Sequence, residues 1–346
     1  MYSIETIPRK SVKAMARVEE LLHREGIRLD PNLEETVGAF DEEGELVATG
    51  SAFGRTLRCL AVDSAHRGEG LMALIVGDLL SRLASRGVLD VFVYTKPAAA
   101  EQLMQLGFYE IARVPEKIVF LENRRDAFPK YLQRLAVQKR PGFCSAVVMN
   151  ANPFTLGHLR LLETAAHQSD FVHCFIVSED VSLVPFDVRM RLVRAGAASI
   201  SNIAFYPSGD YIISAATFPS YFLAGEEETA RMHAALDAAV FAKIAQAMGI
   251  SVRYVGEEPF SRTTAIYNEA LCAGLPPQGV HVRIIPRAKD ETGQAISASQ
   301  VRQLLHDEGH DAIRGLVPES TWAYFASNQA APVLERIRAC SHVRHD

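Results

Sequence analysis

Short apolar runs alternate with amphipathic stretches of helical length through the second half of the chain. Apolar runs of this kind are typical of strands that are buried on both faces of a parallel sheet. We predict strands near residues 143–149, 171–178, 203–206, 251–256 and 280–285. We predict helices near residues 157–168, 187–199, 227–248 and 262–273. The alternation predicts a doubly wound parallel sheet that binds ligands at the carboxyl ends of its strands.

The first half also alternates strands and helices, but with less regular spacing. We predict strands at 45–51, 56–62 and 88–95, and helices at 71–85 and 98–106. This mixture predicts an α/β sandwich rather than a helix bundle. A charge-rich stretch at 122–142 interrupts the pattern, and we place a domain boundary within it. The predicted domains are 1–135 and 136–330, followed by a tail over 331–346.

Composition narrows the class of protein. A chain of 346 residues that is 48% hydrophobic and 22% charged is ordinary for a soluble protein of two domains. The net charge of −5 argues against a general nucleic-acid binder, which needs a basic face. Five cysteines without a CxxC pair predict reduced thiols rather than a disulfide framework or a zinc site. Neither a signal peptide nor a membrane-spanning apolar run is visible, which predicts a cytoplasmic location.

The first candidate for chemistry lies directly after the strand predicted at 143–149. The residues of this turn are Asn152, Pro153, Phe154, Thr155, Gly157 and His158. They lead into a helix, whose N-terminus offers free backbone N–H groups and the positive end of its dipole. We therefore predict a phosphate site here, with His158 donating to the phosphate. The alternative is a simple turn and helix cap, which a motif this short can equally encode.

A second helix start, far along the chain, carries hydroxyls and a guanidinium. Its candidate residues are Ser297, Ser299 and Arg302. The fixed fork of donors on arginine suits a leaving pyrophosphate, and Arg287 and Lys289 would add positive charge nearby. Taken alone, the segment is also compatible with an amphipathic helix that is capped by a serine and binds no ligand. Together, the two helix starts predict a nucleotide site that is closed from two sides around the α-phosphate.

Two arginines and two loops remain open to either a functional or a structural interpretation. Arg189 and Arg191 lie on a predicted helix, where a solvated face is the expected explanation. The loop residues that could shape an acid or nucleotide pocket are Asp210, Tyr211, Ser214, Glu257, Glu258 and Phe260. A structural turn explains the loop at 210–214 about as well, and Glu257, Glu258 and Phe260 follow a predicted strand on the ligand side of the sheet.

The two motifs resemble the signatures of a known superfamily. NPFTLGH and ISASQVR are similar to the (H/T)xGH and ISxxxxR signatures of nucleotidyltransferases, although Arg302 comes one residue early. Longer segments at 177–189, 209–223 and 255–271 resemble the citrate lyase ligase family. The resemblance implies a Rossmann-like nucleotidyltransferase domain in which Thr155 and His158 hold the adenylate phosphate. It also implies that Ser297, Ser299 and Arg302 hold the leaving phosphates.

The same resemblance implies a reaction. ATP, with Mg²⁺ bound through its phosphates, would activate acetate as acetyl-AMP and release pyrophosphate. The acetyl group would then pass to the thiol of a CoA-like prosthetic group on the acyl carrier subunit of citrate lyase, which activates that enzyme. Three alternatives stay open: a malonate decarboxylase carrier as acceptor, adenylylation of a phosphorylated small molecule, and a non-catalytic CoA sensor.

A third helix start, in the first half, carries glycines. Arg67, Gly68 and Gly70 precede the helix predicted at 71–85, where glycines let backbone N–H groups approach a pyrophosphate. With the segment at 106–109, this turn resembles the CoA-binding motif of GNAT acetyltransferases. The resemblance implies a GNAT-like domain that receives the CoA-like prosthetic group; the alternative is a scaffold that binds nothing. Met72 stands where that family usually has Gly or Ala, which predicts crowding of the pyrophosphate.

Overall fold

The computed structural model describes residues 2–178, 182–212, 218–219, 221, 223, 225–258 and 262–340, with the side chain of Thr263 excepted. The chain divides into two units. The first comprises Met1–Tyr131 and Phe218–Ala239, and the second comprises Leu132–Thr217 and Val240–Asp346. The predicted division at 135/136 runs straight along the sequence, whereas the first unit also draws on a segment from the later half.

The first unit is built on a seven-stranded sheet. Its strands are β1 Ser3–Thr6, β2 Glu35–Phe40, β3 Leu46–Phe53, β4 Thr56–Val62, β5 Phe92–Thr95, β6 Tyr109–Val114 and β7 Ile118–Glu122. Its first helices are α1 Val12–Arg24, α2 Leu71–Ser85 and α3 Pro97–Gln105. The strand order is β1-β2-β3-β4-β5-β7-β6, and only β4 and β5 among these neighbours run parallel.

Helix α2 lies directly against this sheet because β3 has a glycine beneath it. A Cβ added at Gly50 would stand 2.5 Å from Ile75 Cγ2 and 3.0 Å from Leu79 Cδ1. Both α2 side chains are fully buried in the core of the unit. The apolar face of α2 therefore fixes the position at which its N-terminus leaves the sheet.

The segment that begins at Phe218 supplies aromatic side chains to the first unit. Tyr221 is buried in a core cluster with Leu21 of α1 and Cys59 of β4. The Phe218 ring contacts Tyr94 of β5 edge-on, with ring centroids 5.5 Å apart. A fragment that ends at residue 135 would lack both of these aromatic side chains.

The second unit is built on a five-stranded parallel sheet. Its strands are β8 Cys144–Met149, β9 Phe171–Ile176, β10 Ile203–Pro207, β11 Ile250–Gly256 and β12 His281–Ile285. The remaining helices of the chain are α4 Ala127–Ala136, α5 Leu156–His167, α6 Phe186–Gly196, α7 Glu226–Met248, α8 Arg262–Gly274, α9 Ala298–Asp307, α10 Glu319–Ala326 and α11 Ala331–Ala339. Of these, α4 and α7 begin in the first unit and end in the second. None of the helices in the described part of the chain combines the length and hydrophobicity that a membrane crossing requires.

The order of the parallel strands is β10-β9-β8-β11-β12. The order reverses between β8 and β11, and doubly wound sheets bind ligands outside the carboxyl ends of the strands at such a switch point. The turn after β8 and the loop after β11 both open at this place. The predicted α/β class and the parallel, doubly wound second sheet are confirmed.

Two stretches differ from the sequence-based expectation. The charge-rich stretch at 122–142 contains helix α4, whose Phe128, Tyr131 and Leu135 are buried. The stretch predicted as a tail from residue 331 begins with helix α11, whose Val333 and Ile337 are buried in the core of the second unit. Sparse apolar residues at helical spacing are enough to anchor each helix, even where charges dominate the local composition.

Candidate active site

Helix α5 begins with a reciprocal cap formed by Thr155 and His158. The Thr155 hydroxyl oxygen accepts from the His158 backbone N–H at 3.3 Å, and His158 Nδ1 accepts from the Thr155 backbone N–H at 3.1 Å. A further contact of 2.9 Å joins Thr155 Oγ1 to the same ring nitrogen. The two side chains satisfy each other's backbone donors, as in a capping box, and they fix the imidazole at the helix start.

The cap also assigns the proton on the imidazole. A neutral imidazole carries one N–H and one acceptor nitrogen. Because Nδ1 of His158 accepts the Thr155 backbone N–H, the ring proton lies on Nε2. His158 therefore presents an Nε2–H donor, and the hydrogen-bond network rather than a visible proton makes this assignment.

Burial and the nearby positive charge of Arg287 lower the pKa of His158 from 6.5 to about 4. Part of the residue remains accessible to solvent, which weakens the desolvation without reversing its direction. The imidazole is therefore neutral at pH 7. It can act on an anion as a fixed hydrogen-bond donor rather than as a cation.

The first turn of α5 leaves one backbone donor open. Partners are present for Leu156 N–H (Leu316 O, 2.9 Å), His158 N–H (Thr155 Oγ1, 3.3 Å) and Leu159 N–H (Thr155 O, 3.0 Å). Within the described residues, Gly157 N–H has no partner. A Cβ at Gly157 would lie 3.3 Å from the Ile296 carbonyl oxygen, so glycine allows the two motifs to approach each other closely.

Helix α9 begins in the same region as α5. Ser297 is its N-cap, and its hydroxyl accepts from the Gln300 N–H at 3.0 Å. The Ala298 and Ser299 N–H groups have no partner in the described part of the chain. The contact between Gly157 and Ile296 brings this helix start beside that of α5, so the structure brings the two predicted motifs together.

Most of the turn between β8 and α5 is buried rather than exposed to solvent. Asn152 and Phe154 are buried, and so is Pro153 between them. Arg302 is 3% exposed, and its Nη1 donates to the Asn152 carbonyl at 2.7 Å while its Nη2 lies 3.4 Å from Ser299 Oγ. The sequence motifs predicted direct ligand contacts for these residues. In the structure, their described contacts hold the turn in place.

Arg287 carries a positive charge close to His158. Its Nε donates to the Glu257 carbonyl at 2.7 Å, its Nη1 lies 3.3 Å from the Ile296 carbonyl, and its Nη2 pairs with the Glu258 carboxylate. The side chain is 24% exposed, so the charge is partly accessible. Its place before the serine motif was the sequence signal that pointed to it.

Arg189 differs most from its predicted role. It is fully buried, whereas Arg191 on the same helix is exposed as predicted. Two positions of the predicted pocket loops, Ser214 and Phe260, lie outside the described residues. Within the described residues, no group of three or more His, Cys, Asp or Glu side chains could hold a metal ion.

The glycine turn of the first unit is open and uncapped. Gly68 and Gly70 have φ angles of 89° and 77°, and an added Cβ would meet nothing within 4 Å at either position. Gly70 is the N-cap of α2 without a side-chain cap, and the N–H groups of residues 68–73 have no partner in the described part of the chain. Arg67 pairs with Glu25 at 2.6 Å on the surface.

Met72, on the first turn of α2, is buried. Its side chain is 8% exposed and packs into the core of the first unit with Leu71 and Val76. The first turn of α2 directs this side chain inward, and crowding of a pyrophosphate stays a prediction that ligand binding would test.

The second unit is a doubly wound α/β fold with two neighbouring helix N-termini at its switch point. Residues 144–325 match the family model of the citrate lyase ligase C-terminal domain. The chain is 34% identical to a [citrate [pro-3S]-lyase] ligase of Klebsiella pneumoniae, over 89% of this chain and 91% of that protein. It is also 34% identical to the Escherichia coli K12 protein of the same name, over 92% of each. The chain belongs to the citrate lyase ligase family.

Solved acetyltransferases match about a third of the chain. A ribosomal-protein-S18-alanine N-acetyltransferase from Escherichia coli covers 35% of this chain and 92% of its own, at 15% identity and a TM-score of 0.29. An aminoglycoside 6'-N-acetyltransferase complexed with coenzyme A covers 35% of this chain and 95% of its own, at 16% identity and a TM-score of 0.30.

Proposed function

We propose that this chain is an AMP-forming acetate ligase. It acetylates the thiol of the CoA-like prosthetic group on the acyl carrier subunit of citrate lyase, and so activates that enzyme. Membership of the citrate lyase ligase family supports the activity. The observation that carries the mechanism is the start of α5, where the neutral His158 and the open Gly157 N–H offer two fixed donors.

In the proposed first step, an acetate oxygen attacks the α-phosphorus of ATP, and the bond to the leaving pyrophosphate breaks. Charge grows on the phosphate oxygens, so donors that are already in place stabilise the transition state. We assign His158 Nε2–H and Gly157 N–H to the α-phosphate. Thr155 fixes the imidazole through the reciprocal cap. The close approach of Gly157 to Ile296 places the two helix starts side by side, which supports assigning both to one nucleotide.

The leaving pyrophosphate is assigned to the second helix start. Ser299 and the adjacent N–H groups can donate to it, and Arg287 supplies a partly accessible positive charge. Arg302 supports this side from within, through Ser299 and the Asn152 carbonyl. Mg²⁺ would bind through the phosphates and water, as it usually does with nucleotides, and would neutralise phosphate charge.

In the second step, the thiol sulfur attacks the acetyl carbonyl carbon, a thioester forms and AMP leaves. We assign the glycine turn of the first unit to the phosphate end of the CoA-like prosthetic group. Gly68 and Gly70 expose consecutive N–H groups there, and the positive end of α2 favours an anion. Arg67, held by Glu25, adds a surface charge near the turn.

Exchange of labelled pyrophosphate into ATP tests the first step. We expect exchange that requires acetate, together with transfer of labelled acetyl to the thiol of the holo acyl carrier protein. A protein that adenylylates a phosphorylated small molecule would need that acceptor instead of acetate, and a CoA sensor would show no exchange. Exchange with acetate but without transfer to the citrate lyase carrier, with transfer to a malonate decarboxylase carrier, would reassign the partner alone. Absence of acetate-dependent exchange would overturn the proposal.

A further inference from the structure

Helix α6 carries a buried arginine near its N-terminus. Arg189 has no solvent exposure and is among the largest fully buried side chains in the described structure. A buried guanidinium keeps its charge and needs hydrogen-bond acceptors for its donors. Its position two residues before the exposed Arg191 shows that these two arginines of one helix have different roles.

The described acceptors of Arg189 are three backbone carbonyls in two connections, the one between β8 and α5 and the one between β9 and α6. Its Nε donates to Val184 at 2.9 Å, and its Nη1 donates to Asn150 at 2.9 Å and to Val177 at 2.8 Å. Asn150 directly follows β8, Val177 directly follows β9, and Val184 precedes α6. The planar fork of the guanidinium therefore joins the carboxyl ends of two adjacent strands to the start of α6.

This network continues into the turn that leads to His158. The Val184 N–H donates to the Asn152 side-chain oxygen at 3.0 Å, so one loop residue connects Arg189 to the turn. At its other end, α6 contacts the turn again, because a Cβ at Gly196 would lie 2.7 Å from the Phe154 ring. The Phe154 ring stacks on the His158 imidazole, with centroids 5.9 Å apart.

We propose that α6 positions the His158 donor, with Arg189 as the positioning residue. Arg189 holds the start of the turn through Asn150 and Val184, and the glycine at 196 receives the Phe154 ring that supports the imidazole. The proposal rests on the proposed function for its kinetic readout. A displacement of about 1 Å in a group that must meet a reacting phosphate can cost about 100-fold in rate.

The test compares Arg189→Lys with Arg191→Lys, a matched change on the same helix at an exposed position. Lysine keeps the charge but loses the planar fork. We expect Arg189→Lys to lower kcat of acetate-dependent exchange by about 10- to 100-fold, with KM for ATP changed by less than about threefold. Arg191→Lys should leave both constants unchanged.

Nitrogen-15 NMR of the histidine rings supplies a readout that is independent of activity. In the wild type, the His158 signals, identified by their loss in His158→Gln, should show a protonated Nε2 and an unprotonated Nδ1 at pH 7. In Arg189→Lys, release of the Thr155 N–H should give a mixture of the two tautomers. Wild-type tautomer and kcat in a folded Arg189→Lys protein would overturn the proposal.

Gly196→Ala keeps the proposal testable if Arg189→Lys does not fold. The added methyl displaces the Phe154 ring from the other end of α6, so we expect the same loss of the Nε2–H tautomer and a fall in kcat. An unchanged tautomer in Gly196→Ala would overturn the role of α6. If the wild type shows no acetate-dependent exchange but the tautomer still responds, the proposed function fails while the positioning role stands.

Discussion

Two helix starts, those of α5 and α2, follow strands of two different sheets and are closed in different ways. At α5, Thr155 and His158 cap each other reciprocally. At α2, Gly70 is the N-cap and no side chain caps the helix. The start of α5 fixes the His158 side chain, while the start of α2 leaves backbone N–H groups exposed.

The two kinds of helix start suit two different tasks, stabilising a reacting phosphate and binding a pyrophosphate that does not react. A reacting phosphate needs donors that stay in place while charge develops, and under the proposed function the neutral imidazole fixed by the cap at α5 has that role. A CoA-like pyrophosphate needs only a concave set of N–H groups, and glycines at positive φ supply one without any side chain. We therefore expect changes at α5 to alter the activation of acetate, and changes at α2 to alter transfer to the carrier thiol.

The largest expected effect concerns His158. His158→Ala removes the Nε2–H donor, and we expect acetate-dependent exchange to fall by about 10²- to 10³-fold, as for loss of one oxyanion donor. His158→Gln, which places an amide N–H in a similar position, should retain more activity than His158→Ala. The exposed His167 at the other end of α5 provides the control, and His167→Ala should exchange like the wild type. Normal exchange in His158→Ala would remove this residue from the mechanism.

Two glycines at the ends of α2 test whether the turn before this helix binds the CoA-like group. Gly70 and Gly87 flank the two ends of this helix with φ angles of 77° and 82°, and both face open space. Alanine at either position should cost about 1 kcal/mol through the left-handed backbone, measured by urea unfolding. We expect only Gly70→Ala to slow acetyl transfer to the holo carrier, by about tenfold, with acetate-dependent exchange unchanged. Equal transfer rates in the two variants would make this turn a scaffold.

The local sequence pattern was sufficient to predict the strands of the second sheet and the position of the α5 helix start. Strands β8 to β12 are apolar runs, and the structure has each of them within a few residues of its predicted range. The turn at Thr155–His158 could also be located from sequence, because a strand followed by a helix start is a local signal. The tautomer of His158 could not, since it depends on a hydrogen bond from a particular backbone N–H.

Long-range contacts explain what sequence patterns missed. Arg189 was predicted to be solvated because arginine rarely lies in a core, whereas contacts with carbonyls distant in sequence, three of them described, make its burial favourable. Tyr221 belongs to the core of the first unit although it lies far beyond the predicted boundary. The burial of Met72 in the core of the first unit also depends on the direction of its side chain from α2, which the residue type alone does not give.

The smallest expected effect is a pH dependence that sharpens the description of His158 as a neutral donor. Its pKa is about 4 in the folded protein, against 6.5 for an ordinary histidine. Well above pH 6.5, the folded and the unfolded ring are both neutral, so this group adds no pH dependence there. As the pH falls from 6.5 toward 4, the unfolded ring binds a proton that the folded ring does not, so the folded state loses stability.

Urea unfolding of the wild type and of His158→Gln at pH 7.5, 6 and 5 measures this effect. The wild type should lose roughly 1–2 kcal/mol more than the variant as the pH falls, since each unit between the two pKa values is worth about 1.4 kcal/mol and partial exposure reduces the shift. Arg160→Gln, at an exposed position of α5, controls for a general response of the helix. Parallel pH profiles for the wild type and His158→Gln would mean that the folded imidazole titrates normally and acts as a cation at the lower pH values.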